Sequence, residues 1–304
     1  MIVLLIGANG QDGKYLKEIH ETRGDKVIEV IKPSGGPADF RENLYALDLA
    51  NKESASSLFN SVSPDLIYHL ATVHGSSLTM NSIALERAKD IYETHVLITE
   101  NIIEYLMMSP KSKGVFALSS RLFQATELIT VIDEKSNPNP KDIYGITKLK
   151  MKEMVSMARE TMNIQASCGI LFNHTSSLSK EIFLFPTIAK AIRNRSNLDF
   201  SVSDWNTRID MSYAYDICLG LYKLSTSKFS MDVVFGSENL VYLPDLVEAI
   251  RPLVDYPIYF SPNKIQRQDK PTLLSNCRLA RHSLNWKTTI DVTELMLKLV
   301  KEER

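Results

Sequence analysis

The chain has 304 residues, of which 44% are hydrophobic and 23% charged, a composition typical of a globular protein and unlike a fibrous or disordered one. Its 35 basic and 36 acidic residues leave a formal net charge of -1, so no overall field would draw nucleic acid or an anionic membrane. Apolar runs long enough to span a bilayer are absent, and Met1 leads directly into a strand pattern, so we expect a cytoplasmic protein.

The most informative stretch is the first one. Ile2 to Ile6 predict a buried strand, glycines interrupt it, and Lys14 to Arg23 predict a helix. Such a turn points backbone N–H groups and a positive helix end at one place, where a pyrophosphate binds. Gly7 would permit the tight turn, Gly10 the approach to the phosphates, and Gly13 the packing of the helix on the strand. The predicted coenzyme contacts of this turn are Gly7, Asn9, Gly10, Gln11, Asp12 and Gly13.

The end of the second predicted strand, Val27 to Ile31, bears on the choice of coenzyme. An NAD site favours an acidic residue there for the ribose hydroxyls, whereas Lys32 is a cation suited to a 2′-phosphate. NADP is therefore the expected coenzyme and NAD the alternative. Lys32 as an ordinary solvated lysine remains open, and Arg41 is a second candidate for the same phosphate.

Strand and helix patterns alternate through the first half, which predicts βαβ units and an α/β, Rossmann-type doubly wound parallel sheet. Further strands are expected at Leu66–Leu70, Gly114–Ser119 and Ala166–Phe172, and helices at Ser54–Val62, Ala84–Met108 and Asp142–Met162. Beyond Asn173 the predicted strands Asp199–Val202 and Val233–Gly236 mix with helices starting near Phe185, Asp216 and Pro244, and with a last helix at Val292–Lys301. We expect a coenzyme domain at 1–172, with 208–236 returning to it, and a smaller, partly interleaved substrate-binding region at 173–304.

Tyr144 and Lys148 stand four residues apart, on one face of a predicted helix. A neighbouring ammonium would lower the pKa of the phenol, so that it can exchange a proton near neutral pH. Ser119 and Ser120 end a predicted parallel strand, at the edge where such sheets collect ligands. Because this Tyr/Lys spacing is common on helices, the prediction of an active site depends on all three segments together.

The cysteines, Cys168, Cys218 and Cys277, are far apart and lack metal-ligand spacing, so reduced thiols are expected, without disulfides or a metal site.

Motifs along almost the whole chain resemble the extended short-chain dehydrogenase/reductase family. Within it, they are similar to the nucleotide-sugar branch related to GDP-mannose 4,6-dehydratase and GDP-6-deoxy-4-keto-mannose reductase. They are Gly10-Gln11-Asp12-Gly13, Asp48-Leu49, Pro64 to Ala71, Ser119, Tyr144 with Lys148, Phe172-Asn173-His174, Arg208-Ile209-Asp210 and Asn285-Trp286-Lys287.

The resemblance implies roles for these positions. Lys148 would hold the nicotinamide ribose, Tyr144 would exchange a proton with a sugar oxygen, and Ser119 would hydrogen-bond that oxygen. Asp48 and Leu49 would contact the adenine, with a helix N-cap as the alternative for Asp48. Leu70 and Ala71 complete the expected coenzyme contacts.

Arg121 departs from the family's pattern. Dehydratases of the family carry a glutamate here, two positions after the active-site Ser or Thr, as the base for the C5 proton, and an arginine does not deprotonate. Replacement bases from the next loop would be Glu127, Asp133 or Glu134, with solvated loop acids as the alternative. His95 also stands where many relatives have asparagine.

Resemblance also suggests contacts to a substrate diphosphate, at Asn173, Arg208 and Arg267. Arginine suits this task because its planar fork donates two hydrogen bonds to phosphate, although each arginine could equally be a surface charge. Further candidate substrate contacts are His74, Ser120 and Arg121. His74 as a surface or capping residue, and Arg121 as a stabiliser of its own loop, remain open.

The expected function is an NADP-dependent oxidoreductase that exchanges hydride at C4 of a nucleotide-activated, GDP-linked 4-keto-6-deoxy sugar. This reaction needs the hydride, the Tyr144 proton and the Ser119 hydrogen bond, but no carbon base. The alternatives are a GDP-mannose 4,6-dehydratase-like lyase, a nucleotide-sugar epimerase, and a non-catalytic NADP-binding sensor. The resemblance further implies a homodimer formed through Ala84–Met108 and Asp142–Met162.

Overall fold

The structure is a computed structural model that describes residues 1–33, 42–73, 85–196, 206, 208–254, 258 and 270–302. The chain forms two compact units. Unit 1 comprises residues 1–122, 138–170 and 218–233, and unit 2 comprises residues 123–137, 171–217 and 234–304. The predicted strand Asp199–Val202, His74, Arg41 and Arg267 lie outside the described residues. The domain boundaries expected from the sequence stay a prediction.

A seven-stranded sheet confirms the predicted α/β, Rossmann-like fold. Its strands are β1 (Ile2–Ile6), β2 (Lys26–Ile31), β3 (Leu44–Ala46), β4 (Leu66–His69), β5 (Lys113–Ser119), β7 (Gln165–Leu171) and β10 (Asp232–Phe235). Their order across the sheet is β10-β7-β5-β4-β1-β2-β3, and the strands from β3 to β5 pair in parallel. The chain reverses its direction of travel across the sheet after β3, so the carboxyl ends of β1 and β4 lie side by side where a ligand is expected.

Helices follow the strands, as the alternating pattern predicts. They are α1 (Gln11–Thr22), α2 (Lys52–Val62), α3 (Leu85–Tyr92), α4 (Ile98–Met108), α5 (Ile143–Thr161), α6 (Leu184–Arg193), α7 (Ala214–Thr226), α8 (Leu243–Ile250), α9 (Arg278–Leu284) and α10 (Val292–Lys301). Asn51 accepts a hydrogen bond from the Ser54 backbone and so caps α2. In the described part of the chain, no helix is long and apolar enough to cross a membrane.

One helix prediction was wrong in detail. The stretch Ala84–Met108 was expected to be a single helix, but a five-residue π-helical turn, Glu93–Leu97, separates α3 from α4. The apolar spacing on both sides is helical, and it gives no signal for one wider turn. Residues 94–96 within that turn are all buried.

Unit 2 contains two small sheets. Its remaining strands are β6 (Ile129–Ile132), β8 (Asn173–Thr175), β9 (Arg208–Tyr213), β11 (Leu240–Tyr242) and β12 (Thr272–Ser275). β12 pairs in parallel with β6, whereas β9 lies between β8 and β11.

Two of the motifs that carried the resemblance hold unit 2 together. Buried Asp210 accepts hydrogen bonds from the backbone N–H and hydroxyl of Ser237 and from those of Ser275, at 2.6–2.9 Å. Trp286 donates its indole N–H to the Asp216 carbonyl at 2.7 Å and packs edge-on against Phe235. We therefore assign both positions a structural role.

Candidate active site

The glycine turn after β1 has the geometry expected of a dinucleotide cradle. Gly7 has a φ of +92°, and a Cβ there would lie 2.7 Å from the Ala71 backbone nitrogen. A Cβ on Gly13 would lie 2.6 Å from the Cα of Ala8. At Gly10 a Cβ would meet only the Gly7 carbonyl oxygen, at 3.4 Å, so this face is open to a ligand. Gly10 is also the N-cap of α1 and provides no side-chain cap. These features fit a pyrophosphate at the N-terminus of α1.

Tyr144 and Ser119 come together as the sequence predicts. Ser119 ends β5, Tyr144 lies in the first turn of α5, and Ser119 is close enough to the phenol to lower its pKa as a hydrogen-bonding neighbour. The Ser119 hydroxyl also accepts a hydrogen bond from the Arg121 backbone at 3.2 Å. Thr72, which follows β4, lowers the pKa of the Tyr144 phenol in the same way. A phenol and two hydroxyls thus converge at the carboxyl edge of the sheet.

The electrostatic expectation for Tyr144 was wrong. Burial raises the pKa of Tyr144 above 10.0, although the hydrogen bonds with Thr72 and Ser119 and the charge of Arg121 oppose the shift. The Lys148 ammonium lies 5.9 Å from the centre of the phenol ring and donates its hydrogen bond to the Ala117 carbonyl at 2.8 Å. Burial lowers the pKa of Lys148 itself to about 7. Helical spacing alone therefore does not make Lys148 the cation that stabilises the phenolate.

Arg121 is a second cation beside Tyr144. Its guanidinium carbon lies 5.4 Å from the centre of the Tyr144 ring, and its charge lowers the pKa of that phenol. The same guanidinium is paired with Asp142, whose other oxygen accepts a hydrogen bond from the Gly145 backbone and caps α5. Gly145 packs so closely on the Arg121 carbonyl that a Cβ would collide with it. Arg121 is therefore held by the start of the helix that carries Tyr144.

The residues predicted to contact the rest of the coenzyme lie in unit 1. Asp48 follows β3, and its carboxylate accepts a hydrogen bond from the Ala50 backbone at 3.0 Å. Because Asn51 is the N-cap of α2, the alternative interpretation of Asp48 as that cap does not hold. Leu49 is buried, and its carbonyl accepts a hydrogen bond from Asn101. Lys32 is exposed at the end of β2, with its ammonium 3.4 Å from Asp90.

Two of the expected substrate contacts are described in unit 2. The Asn173 side-chain amide donates to the Asp210 carbonyl at 3.4 Å, and the Arg208 carbonyl accepts from Thr272. The candidate replacement bases have local partners there. Glu134 accepts from the Val234 backbone at 2.8 Å, and Asp133 accepts from the backbone of Lys135 and the hydroxyl of Ser136.

Two residues of unit 1 received no role from the sequence. His95 is fully buried, with its ring edge-on to Tyr144 at 5.1 Å between ring centres, and its Nε2 lies 2.9 Å from the Thr72 hydroxyl. For His95, the only signal in the sequence was that a histidine stands where many relatives have asparagine. Thr72 gave none, because a threonine after a strand is unremarkable in a sequence.

The sequence model of the family described as GDP-mannose 4,6 dehydratase matches residues 4–299. The chain belongs to this family. It is 23% identical to GDP-mannose 4,6 dehydratase 2 of Caenorhabditis elegans, over 99% of this chain and 88% of that protein. It is 24% identical to GDP-mannose 4,6-dehydratase sdnI of Sordaria araneosa over 84% of this chain, which spans about half (48%) of that longer relative.

Solved structures share the fold of this family member. A UDP-glucose 4-epimerase of Thermus thermophilus, solved in complex with NAD, superposes with a TM-score of 0.82 at 16% identity and covers 99% of this chain and 98% of its own. RMD of Pseudomonas aeruginosa, complexed with NADPH, gives a TM-score of 0.77 at 16% identity, with the same coverage. The fold and the resemblance to nucleotide-sugar short-chain dehydrogenases/reductases are thereby confirmed. Within the described residues no cluster of His, Cys, Asp or Glu could hold a metal ion.

Proposed function

We propose that this family member is an NADP-dependent oxidoreductase that exchanges hydride at C4 of a GDP-linked 4-keto-6-deoxy sugar. The nicotinamide coenzyme, when bound, supplies or accepts the hydride. Tyr144 gives the proton to the oxygen on C4, and Ser119 hydrogen-bonds the same oxygen. Lys148 holds the nicotinamide ribose. We further propose that Asn173 and Arg208 bind the diphosphate of the sugar nucleotide.

Arg121 is the observation on which the choice of reaction depends. Dehydration needs a base for a carbon-bound proton, and the position of that base carries a guanidinium paired with Asp142. Reduction of a ketone needs an acid instead. Since burial raises the pKa of Tyr144, its phenol is protonated at neutral pH and is in the form that donates.

The deciding assay supplies two substrates to the purified protein. With GDP-4-keto-6-deoxymannose we expect net oxidation of NADPH, followed by its ultraviolet absorbance, and a 4-hydroxy product. Formation of a keto sugar from GDP-mannose without net coenzyme consumption would establish a dehydratase and overturn the proposal. A sugar nucleotide altered only in configuration at C4 would point to an epimerase. The dehydratase is the second candidate because the family match favours it.

Tyr144→Phe distinguishes an enzyme from a coenzyme-binding sensor. We expect it to bind NADPH as the wild type does and to lose turnover. Tyr105→Phe is the matched control, because it removes a buried tyrosine hydroxyl that donates to the Pro64 carbonyl at 3.1 Å in the same unit. The control should retain activity. Equal activity in the Tyr144 and Tyr105 variants would refute the assignment of Tyr144.

The NADP preference is tested at Lys32. Lys32→Glu should weaken binding of NADPH while leaving that of NADH nearly unchanged, because only NADPH carries the 2′-phosphate. Lys52→Glu is the control, since Lys52 is similarly exposed and pairs with Glu104 at 2.6 Å. A loss of NADPH affinity shared by both variants would show a general charge effect and remove Lys32 from the site.

A homodimer through α4 and α5 is also proposed. Ile146 and Met157 are exposed on one face of α5, and Met107 and Met108 are exposed at the end of α4. Light scattering should give twice the chain mass of 34.4 kDa, and Ile146→Lys should shift the particle towards the monomer. A monomeric wild type would refute this arrangement.

A further inference from the structure

The π-helical turn Glu93–Leu97 places His95 between two threonines. Its Nδ1 lies 2.8 Å from the Thr147 hydroxyl, and its Nε2 lies 2.9 Å from the Thr72 hydroxyl. His95 and Thr147 are both nearly or fully buried. Wide turns of this kind frequently occur at functional sites. Here the turn brings an imidazole into a continuous chain of hydrogen-bonding side chains.

Thr147 sets the direction of these hydrogen bonds. Its hydroxyl donates into the carbonyls of Ile143 and Tyr144, at 2.9 and 3.0 Å. Because a hydroxyl has one proton, Thr147 can only accept from His95, so Nδ1 carries the hydrogen of the neutral ring. Nε2 then accepts from the Thr72 hydroxyl.

Thr72 in turn connects this chain to the phenol. Thr72 also lowers the pKa of the Tyr144 phenol as a hydrogen-bonding neighbour, and with its own proton directed at Nε2 it would accept from the Tyr144 hydroxyl. Every bond from Tyr144 to Thr147 therefore runs in one direction. Three side chains are ordered so that one proton can move between the phenol and the imidazole without any rotation of the ring.

We propose that His95 acts as the proton store of Tyr144, and that Thr72 passes the proton between them. The proposal rests on the proposed function, in which Tyr144 exchanges a proton with the substrate oxygen. In reduction, Tyr144 gives its proton to the substrate oxygen, the Thr72 proton moves to the phenol oxygen, and the Nε2 proton moves to Thr72. The imidazolium becomes a neutral imidazole, and charge is conserved. Oxidation runs through the same atoms in reverse. His95 is thus a positioning and proton-storing residue and does not touch the substrate.

The titratable groups around this relay are Tyr144 and Lys148 from α5, His69 from β4, and Glu93 in the turn itself. His69 lies near the backbone of residues 94 and 95, and the charges of Arg121 and Asp12 act on the Tyr144 phenol. Because the reductive direction consumes the imidazolium, its rate should fall as the pH rises. The oxidative direction should show the opposite dependence.

The first experiment needs neither coenzyme nor substrate. Nitrogen NMR of histidine-labelled protein should show His95 in the Nδ1–H tautomer, identified by comparison with His95→Gln. Thr72→Val should shift the Nε2 resonance, and Thr72→Ser should restore it. An Nε2–H tautomer would overturn the relay whatever the protein's substrate proves to be, because Thr72 could not then donate to the ring.

The second experiment is kinetic. His95→Gln retains one donor and one acceptor but cannot store the proton, so we expect kcat to fall by at least about tenfold with KM within about twofold. The descending limb of the pH profile should disappear. Thr72→Val should give the same loss, Thr72→Ser should recover it, and the Thr72→Val/His95→Gln double variant should be no worse than either single one.

His20→Gln is the matched control, because His20 is another fully buried histidine, bonded to Asp25 and Tyr68, and remains outside the relay. A His95→Gln variant with wild-type kcat and pH profile would refute the proposal. Failure of the wild type to turn over the sugar nucleotide would refute the proposed function only, since the NMR result stands independently.

Discussion

Replacing Gly7 by alanine separates the two physical reasons for a glycine at the end of β1. Gly7 has a φ of +92°, which strains any side chain, and its missing Cβ leaves room for the Ala71 backbone at 2.7–2.8 Å. Gly24, which follows α1, has a φ of +80°, and a Cβ there would meet nothing within 4 Å. Gly24→Ala therefore measures the strain alone, and Gly7→Ala measures the strain plus the collision.

The two variants should differ clearly in stability. A left-handed alanine costs about 1–2 kcal/mol. The lower conformational entropy of the unfolded alanine variant offsets about 0.4–1 kcal/mol of that cost. Gly24→Ala should therefore lower the free energy of unfolding by about 1 kcal/mol. Overpacking against the rigid Ala71 backbone adds about 1–3 kcal/mol. Gly7→Ala should therefore cost about 2–4 kcal/mol in urea unfolding followed by circular dichroism.

Coenzyme binding provides the second readout for the same pair. Gly7→Ala should also weaken NADPH binding, because relief of the collision displaces the turn that forms the cradle, whereas Gly24→Ala should bind NADPH normally. Equal loss of stability in the two variants would show that the contact with Ala71 is unimportant. Unchanged NADPH affinity in Gly7→Ala would refute the placement of the phosphates at this turn.

Three further predictions concern single residues. Asp142→Ala should lower the free energy of unfolding by about 1 kcal/mol in urea titrations because α5 loses its cap. Asp142→Asn should retain most of the wild-type stability, because asparagine also caps helices. Equal losses in the two variants would assign the effect to the ion pair with Arg121 instead. Burial lowers the pKa of His20 below 6.5, so below that pH the unfolded chain binds a proton that the folded chain does not. The free energy of unfolding should therefore fall as the pH drops below 6.5, by up to about 1.4 kcal/mol per pH unit from this group. His20→Gln should remove the contribution of one histidine to the pH dependence of the unfolding free energy between about pH 5 and 7. An unchanged slope would contradict the assignment. Ultraviolet difference titration of the wild type against Tyr144→Phe should show the Tyr144 phenol ionising above pH 10.0 in the coenzyme-free protein; an extra tyrosinate signal near neutral pH would disprove this.

The sequence predicts best those features whose cause is local. The turn from β1 to α1 is readable because strand, glycines and helix are contiguous, and α10 occupies the predicted Val292–Lys301. The π-helical turn was not predictable in this way. Apolar spacing is read over several turns of a helix, and a single wider turn between two regular helices is too short to change that pattern recognisably.

Properties that depend on distant contacts were the ones that sequence reasoning missed. The spacing of Tyr144 and Lys148 correctly places both on α5, but it carries no information about the Ala117 carbonyl that receives the ammonium. Nor does it report the burial that raises the pKa of the phenol. Thr72 enters the site because β4 and β5 are adjacent in the sheet, a pairing between residues more than 40 positions apart.

Arg121 shows why the role of a residue that departs from a family's pattern cannot be judged from its residue type alone. The sequence alone reports only that an arginine stands where the family's dehydratases have a glutamate. In the structure its charge is held by Asp142, the residue that starts α5, and therefore has a fixed place beside the ring of Tyr144. A carboxylate at that position would raise the pKa of the phenol further, whereas the guanidinium lowers it. Under the proposed function, the arginine removes the base for a carbon-bound proton and leaves a cation beside the phenol that exchanges its proton with the oxygen on C4.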